Sequence, residues 1–175
     1  MECAAGPRVP EYFVDIDSSS SGAQRLGNDS INDFEIVLTT DYADTIDGDD
    51  VSETLAASGG DDSIYGRGGN DRMIGGSGND TLEGGAGNDT VTGDAGFDYA
   101  SYSRASGSVT VDLGVSIGQN TGADGTDTLS GIEGLIGSAN NDSLTGDDQT
   151  NTILGGDGDD RIYGGASGQD YIDGQ

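Results

Sequence analysis

The sequence predicts an all-β protein, a parallel β-roll (a β-solenoid) whose short strands are joined by glycine- and aspartate-rich turns. Three observations predict it. A nine-residue unit recurs without a gap over residues 39–101 and again from residue 137. Glycine favours positions one, two and four of that unit, and position six is acidic in nearly every copy. Position eight is apolar in all of them.

From Gly75 the chain reads GGSGNDTLE, GGAGNDTVT and GDAGFDYAS. Stepping back by nines gives GRGGNDRMI from Gly66 and ASGGDDSIY from Ala57, then fainter copies from Gly48 (GDDVSETLA) and Thr39 (TTDYADTID). A second array begins at Gly137 with GSANNDSLT, GDDQTNTIL and GGDGDDRIY, and closes on GGASGQDYID, which is one residue longer. Gly93 and Gly137 lie 44 residues apart, one short of five periods, so the phase slips between the arrays. The chain thus divides into an N-terminal cap or the end of a preceding segment (1–38), a first array (39–101), a spacer with a strand or hairpin (102–136) and a second array (137–175).

One apolar residue in nine is too sparse for an amphipathic helix, which needs three or four in two turns. It fits a very short strand whose middle side chain points inward while its neighbours point out. Ile46, Leu55, Ile64, Met73, Leu82 and Val91 are the inward residues of the first array; Leu144, Ile153, Ile162 and Ile172 are those of the second. The glycines supply the turn, because left-handed backbone angles cost them little and they let chains approach closely. Each unit is half of a coil that closes every 18 residues, so alternate units fall in facing sheets.

The composition narrows the partners. Asp and Glu total 33 against 6 Lys and Arg, a formal charge of −27. That excludes nucleic acid, whose phosphates attract Lys and Arg, and disfavours anionic membrane surfaces. No apolar run is long enough to span a membrane, and the N-terminus lacks the apolar core of a signal peptide. Cys3, the single cysteine, forms no intrachain disulfide. There is no histidine, which removes zinc-protease and Ser–His–Asp schemes. The paired carboxylates fall on the repeat, so the chain is read as a non-enzyme.

Composition alone would suit a disordered acidic chain. The periodic order of the residues points instead to cations. One buried Leu or Ile per unit does not offset the entropy of ordering nine residues, and stacked aspartates repel. Ca²⁺ between successive turns answers both, since it takes 6–8 oxygen ligands from carboxylates and backbone carbonyls. Asp44, Asp62, Asp80 and Asp98 then stack on one edge, and Glu53, Asp71 and Asp89 on the other.

GGSGNDTLE and GGAGNDTVT resemble the RTX family, the hemolysin-type calcium-binding nonapeptides. The resemblance covers about residues 39–101 and 137–174. It implies several calcium ions, each held by carbonyls at positions two and four and the carboxylate at position six of stacked turns. Carried onto this chain, the sets are Gly76, Gly78 and Asp80; Gly85, Gly87 and Asp89; and Gly156, Gly158 and Asp160. Less regular sets are Ser58, Gly60 and Asp62; Arg67, Gly69 and Asp71; Asp94, Gly96 and Asp98; Ser138, Asn140 and Asp142; and Gly165, Gly168 and Asp170. Glu53 departs with a longer arm and Asn151 with no charge.

The resemblance further implies a calcium-triggered folding module of a secreted, extracellular bacterial protein exported by type I secretion. The family usually carries a C-terminal secretion signal after the repeats, and the sequence stops at YIDGQ without one, which implies a fragment or an excised module. The alternative is a polysaccharide-binding or adhesin β-roll. Tyr65, Tyr99, Tyr102 and Tyr163 at or near outward positions would serve it by stacking on a glycan. FVDID (13–17) and DFEIVLTT (33–40) read as capping strands, SSSSG (18–22) as a loop, and SVTVDLGVSIG (108–118) as a strand or hairpin that continues one sheet of the first array.

Overall fold

The computed structural model describes residues 36–39 and 41–174. The expectations for Cys3, FVDID and SSSSG lie outside that range, as do residues 33–35 and 40 of DFEIVLTT. Every element among the described residues is a strand. The N-terminal segment contributes β1 (Ile36–Leu38), and the first array forms β2 (Thr45–Asp47), β3 (Thr54–Ala56), β4 (Ser63–Tyr65), β5 (Arg72–Ser77), β6 (Thr81–Glu83), β7 (Thr90–Ala95) and β8 (Tyr99–Ser101). The spacer adds β9 (Thr110–Asp112), β10 (Gln119–Gly122), β11 (Gly125–Ser130) and β12 (Gly134–Ile136). The second array gives β13 (Ser143–Thr145), β14 (Thr152–Leu154), β15 (Arg161–Tyr163) and β16 (Tyr171–Asp173).

The units alternate between two parallel sheets, as the 18-residue coil requires. One runs β1-β3-β5-β7-β11, with β10 added antiparallel at its end; the other runs β2-β4-β6-β8-β12-β14-β16. The position-eight residues stack in register: Ile46 on Ile64, Ile64 on Leu82, Leu55 on Met73, Met73 on Val91. Ile46, Leu55, Ile64, Met73, Leu135, Leu144 and Ile153 are completely buried, forming a one-residue-wide spine. The parallel β-roll read from the sequence is the observed fold.

The spacer is built differently from the expected continuation. Segment 108–118 yields only β9, which pairs ahead with β13 (Val111 on Leu144) instead of extending a first-array sheet. The hairpin lies later, between β10 and β11. Alternation explains the strand: Val109 and Val111 both point inward and are buried. β9 is the edge of a three-stranded sheet, β9-β13-β15, and meets the antiparallel β10 at the end of the first-array sheet. The Gln119 carboxamide bridges to β9, accepting from Asp112 N at 2.7 Å and donating to Asp112 O at 3.1 Å, as a neighbouring peptide would.

The facing sheet passes straight through. Ala100 pairs with Leu135, Leu135 with Ile153 and Ile153 with Ile172. Thus the coil that contains the excursion spans 35 residues from Ala100 to Leu135 instead of 18. The ten-residue last unit is absorbed in the same way: its extra residue lies in the turn, and Ile172 still stacks on Ile153.

Turn stacking is tight at position four. Gly78 has φ +134°, and a methyl on it would collide with the Gly60 carbonyl of the previous coil. Gly78→Ala is therefore expected to destabilise the folded roll by more than about 1 kcal/mol, seen as a lower melting temperature. Ser77→Ala, at the exposed neighbouring position, is expected to stay within about 0.5 kcal/mol of the parent.

Candidate metal sites

Position six places a carboxylate just before each strand, where it reaches back to the coil behind it. Asp62 Oδ1 accepts from Asp44 N at 2.7 Å, Asp80 Oδ1 from Asp62 N at 2.8 Å and Asp98 Oδ1 from Asp80 N at 2.9 Å. On the other edge Asp71 Oδ1 accepts from Glu53 N and Asp89 Oδ1 from Asp71 N, at 2.9 and 2.8 Å. Asp160 Oδ1 accepts from Asp142 N at 2.9 Å in the second array. The stacks expected from the sequence are thus carboxylate ladders tied by backbone N–H groups.

Each ladder uses one oxygen of the carboxylate. The second is buried and lacks a hydrogen-bond partner at Glu53 (Oε1) and at Asp62, Asp71, Asp80, Asp89, Asp98 and Asp160 (Oδ2). It lies against the position-one glycine of its own unit: a methyl at Gly66, Gly75, Gly84 or Gly155 would collide with Oδ2 of Asp71, Asp80, Asp89 or Asp160. This accounts for glycine at position one. A buried charged oxygen with no partner is costly in a folded protein.

Burial pushes the carboxyls of the first array, from Glu53 to Asp98, up against the pull of the backbone N–H bonds. Glu53 and Asp89 rise to about 7, and Asp62, Asp71 and Asp98 to about 6. Asp80 is raised for the same reason.

Carbonyls approach the same space between coils. Those of Ser58, Gly60, Arg67, Gly69 and Gly78 lie where methyls at Gly76, Gly78, Gly85, Gly87 and Gly96 would fall. Ser138 and Asn140 stand likewise to Gly156 and Gly158, and Asp147 and Gln149 to Gly165 and Gly168. Arg67 and Asp94 occupy position two without being glycine, and both take φ +72°. No three His, Cys, Asp or Glu side chains converge among the described residues. A cation between the coils would therefore draw on carbonyls plus one or two carboxylates, the hard oxygen set that suits calcium.

Three position-six groups differ, Asp127 in the spacer and Asp142 and Asn151 in the first two units of the second array. Asp142 has donors on both oxygens: Val109 N (2.8 Å) and Ser138 Oγ (2.9 Å) on Oδ1, Ser138 N (2.6 Å) on Oδ2. Asn151 accepts from Asp147 N and donates to Glu133 O. Asp127 continues the Asp89 ladder through Oδ1, while its Oδ2 accepts from Tyr102 OH at 3.2 Å and Thr121 Oγ1 at 3.0 Å. Tyr102 is thus inward and buried, not on the outer face, because Asp127 offers its hydroxyl an acceptor. Asp170 accepts from Asn151 N at 3.0 Å on the exposed last coil.

Sequence reasoning missed Asp127 and Glu133, whose Oε2 accepts from Asp98 N at 2.9 Å. Asp127 had a signal. Residues 122–130, GADGTDTLS, are a complete nonapeptide out of phase with both arrays, with Asp127 at position six and Leu129 at position eight. Glu133 belongs to a shortened unit, GIEGLI, that keeps only the end of the pattern.

The profile described as the RTX calcium-binding nonapeptide repeat matches residues 47–82, 69–100 and 136–172, more than half of the chain. The chain belongs to the RTX family. A comparison with curated proteins shows no match. RTX repeats bind calcium, and they form a structural module.

In this RTX chain the raised carboxyls favour the protonated form when folded and the ionised form when unfolded, near 3.8 for Asp. Their contribution to metal-free stability is present below that value and lost as pH rises through about 6–7. The chelated chain is therefore expected to gain strand signal in circular dichroism on acidification from about pH 8 to about pH 5.5. Loss of signal over that range would contradict the burial argument.

Proposed function

We propose that this chain is a calcium-triggered folding module of a secreted bacterial protein, unfolded where calcium is scarce and folded where it is abundant. The observation that carries the reading is the row of buried carboxylate oxygens left without a partner beside inter-coil carbonyls. Without a cation these oxygens oppose the fold; with calcium they become ligands, so binding free energy is folding free energy. Negative charge along the whole chain would hold it open until then.

The assigned ligands follow the ladders. On one edge they are the carboxylates of Asp62, Asp80 and Asp98 with carbonyls of Ser58, Gly60, Gly76, Gly78, Asp94 and Gly96. On the other they are Asp71 and Asp89 with carbonyls of Arg67, Gly69, Gly85 and Gly87. In the second array Asp160, Gly156 and Gly158 face the carbonyls of Ser138 and Asn140. Asp142 keeps its protein donors, and Gly165, Gly168 and Asp170 form a terminal, more exposed set. Calcium supplies charge neutralisation and coordination there; the chain supplies fixed oxygens and the turns that space them. Catalysis has no part in this reading.

A calcium titration followed by far-ultraviolet circular dichroism tests it, with chelator as control. Strand signal is expected to appear with calcium and to disappear on chelation at neutral pH; a fully folded chelated chain would refute the trigger. Asp80→Asn should raise the calcium midpoint on the order of tenfold, about 1.4 kcal/mol. Asp127→Asn, whose oxygen already has Tyr102 and Thr121 as donors, should leave that midpoint within about twofold. Equal shifts would show that the unpartnered oxygens are not the ligands.

A further inference from the structure

The excursion after β8 folds back across the outer face of the β2–β4–β6–β8 sheet and forms a groove of about 430 Å³ with it. Plain repeat cannot make this feature, because its floor is sheet and its wall is insertion. Asp47, Tyr65 and Glu83 lie side by side on the floor, in register on adjacent strands. Arg67 comes from the turn after β4, and Arg104, Ser106 and Asp124 come from the insertion.

Four of the five charged groups are paired. Arg67 Nε donates to Asp47 Oδ1 at 2.6 Å, and its Nη2 to Oδ2. Arg104 lies 3.9 Å above the Tyr65 ring centre, with Nε 3.7 Å from Glu83 Oε1. Glu83 Oε2 accepts from Ser101 Oγ and Ser103 Oγ, both at 2.9 Å. Asp124 is the remainder. It is only 6% exposed and lines the groove. Among the described residues its carboxylate has no hydrogen bond or ion pair, and the charged groups that act on it most strongly, Asp127 and Glu83, are also acidic.

A buried carboxylate left over from matched pairs calls for a cation with N–H donors. The five side chains sum to −1, so a monocation neutralises the site and an anion is repelled. The groove is larger than an ammonium group, and the rest of its lining sets guanidinium, hydroxyl and carboxylate groups beside Tyr65, Ala86 and Ala123, a mixture that suits the hydroxyls and C–H faces of a sugar ring rather than an alkyl chain. We propose that this groove binds an amino sugar, with its ammonium on Asp124 and its ring hydroxyls on Arg67 and Ser106.

The test uses the full chain in saturating calcium at about pH 6.5, where a sugar amine is protonated, with calorimetric titration of glucosamine. N-acetylglucosamine removes the charge and keeps the ring; ethanolamine keeps the charge and removes the ring. Glucosamine is expected to bind at least about tenfold more tightly than either. Asp124→Asn should abolish the preference over N-acetylglucosamine, and Ser106→Trp, at an exposed position, should block the groove with circular dichroism unchanged. Equal binding of the two sugars, ethanolamine binding as well as glucosamine, or no binding at all overturns the proposal. So does displacement of glucosamine by calcium added beyond folding saturation, which would make Asp124 a calcium ligand. Circular dichroism of each variant separates loss of the groove from failure of calcium-dependent folding.

Discussion

Each coil of this protein leans on the next through a carboxylate that has two unlike tasks. One oxygen of Asp62, Asp71, Asp80 or Asp89 accepts the backbone N–H of the residue 18 positions earlier, fixing the spacing of the turns. The other is buried with nothing to bond to. The first task makes the roll regular, and the second is the basis for the proposed dependence on calcium. Glycine at position one follows from the second oxygen, and glycine at position four from the carbonyl of the coil behind. The apolar spine is narrow, so backbone bonds between coils carry much of the stabilisation, and the proposed calcium would carry the rest.

Around the spacer this division of labour changes. Asp127, Asp142 and Asn151 have their polar atoms satisfied by the protein itself. The apolar core is also denser there, with Tyr102, Val109, Val111, Leu129, Ile132 and Leu135 all buried within residues 102–136. Hydroxyls and ordinary packing take over where the turn pattern is interrupted. The insertion is accommodated on one side only, so the opposite sheet carries the register from β8 to β12 without a break.

What was legible in the sequence was whatever the nine-residue period repeats. Position eight revealed the spine, position six the two ladders, and the alternation of units the two sheets. The spacer was harder to read for physical reasons. A repeat is recognised by its turn, yet the stack is held by its strand, so the shortened unit around Glu133 and Leu135 pairs normally while lacking most of a turn. The out-of-phase copy at 122–130 was hidden by the slip that its neighbour causes. Tyr102 pointed inward because of a partner 25 residues away, which no local pattern encodes. Asp124, at a turn position of the insertion, is buried where the insertion meets the outer face of the sheet, a contact that the local pattern does not encode.

Stacking in one direction has a mechanical corollary. Every coil touches only its neighbours, so a pull on the two ends loads the coils in series, and the outermost strand peels before those behind it. Each ordinary coil would release 18 residues, about 60 Å of extended chain. The coil that contains the insertion would release 35, about 120 Å, in one longer step. The roll is therefore a ruler with one uneven division, and the position of that division along the extension would report from which end it comes apart.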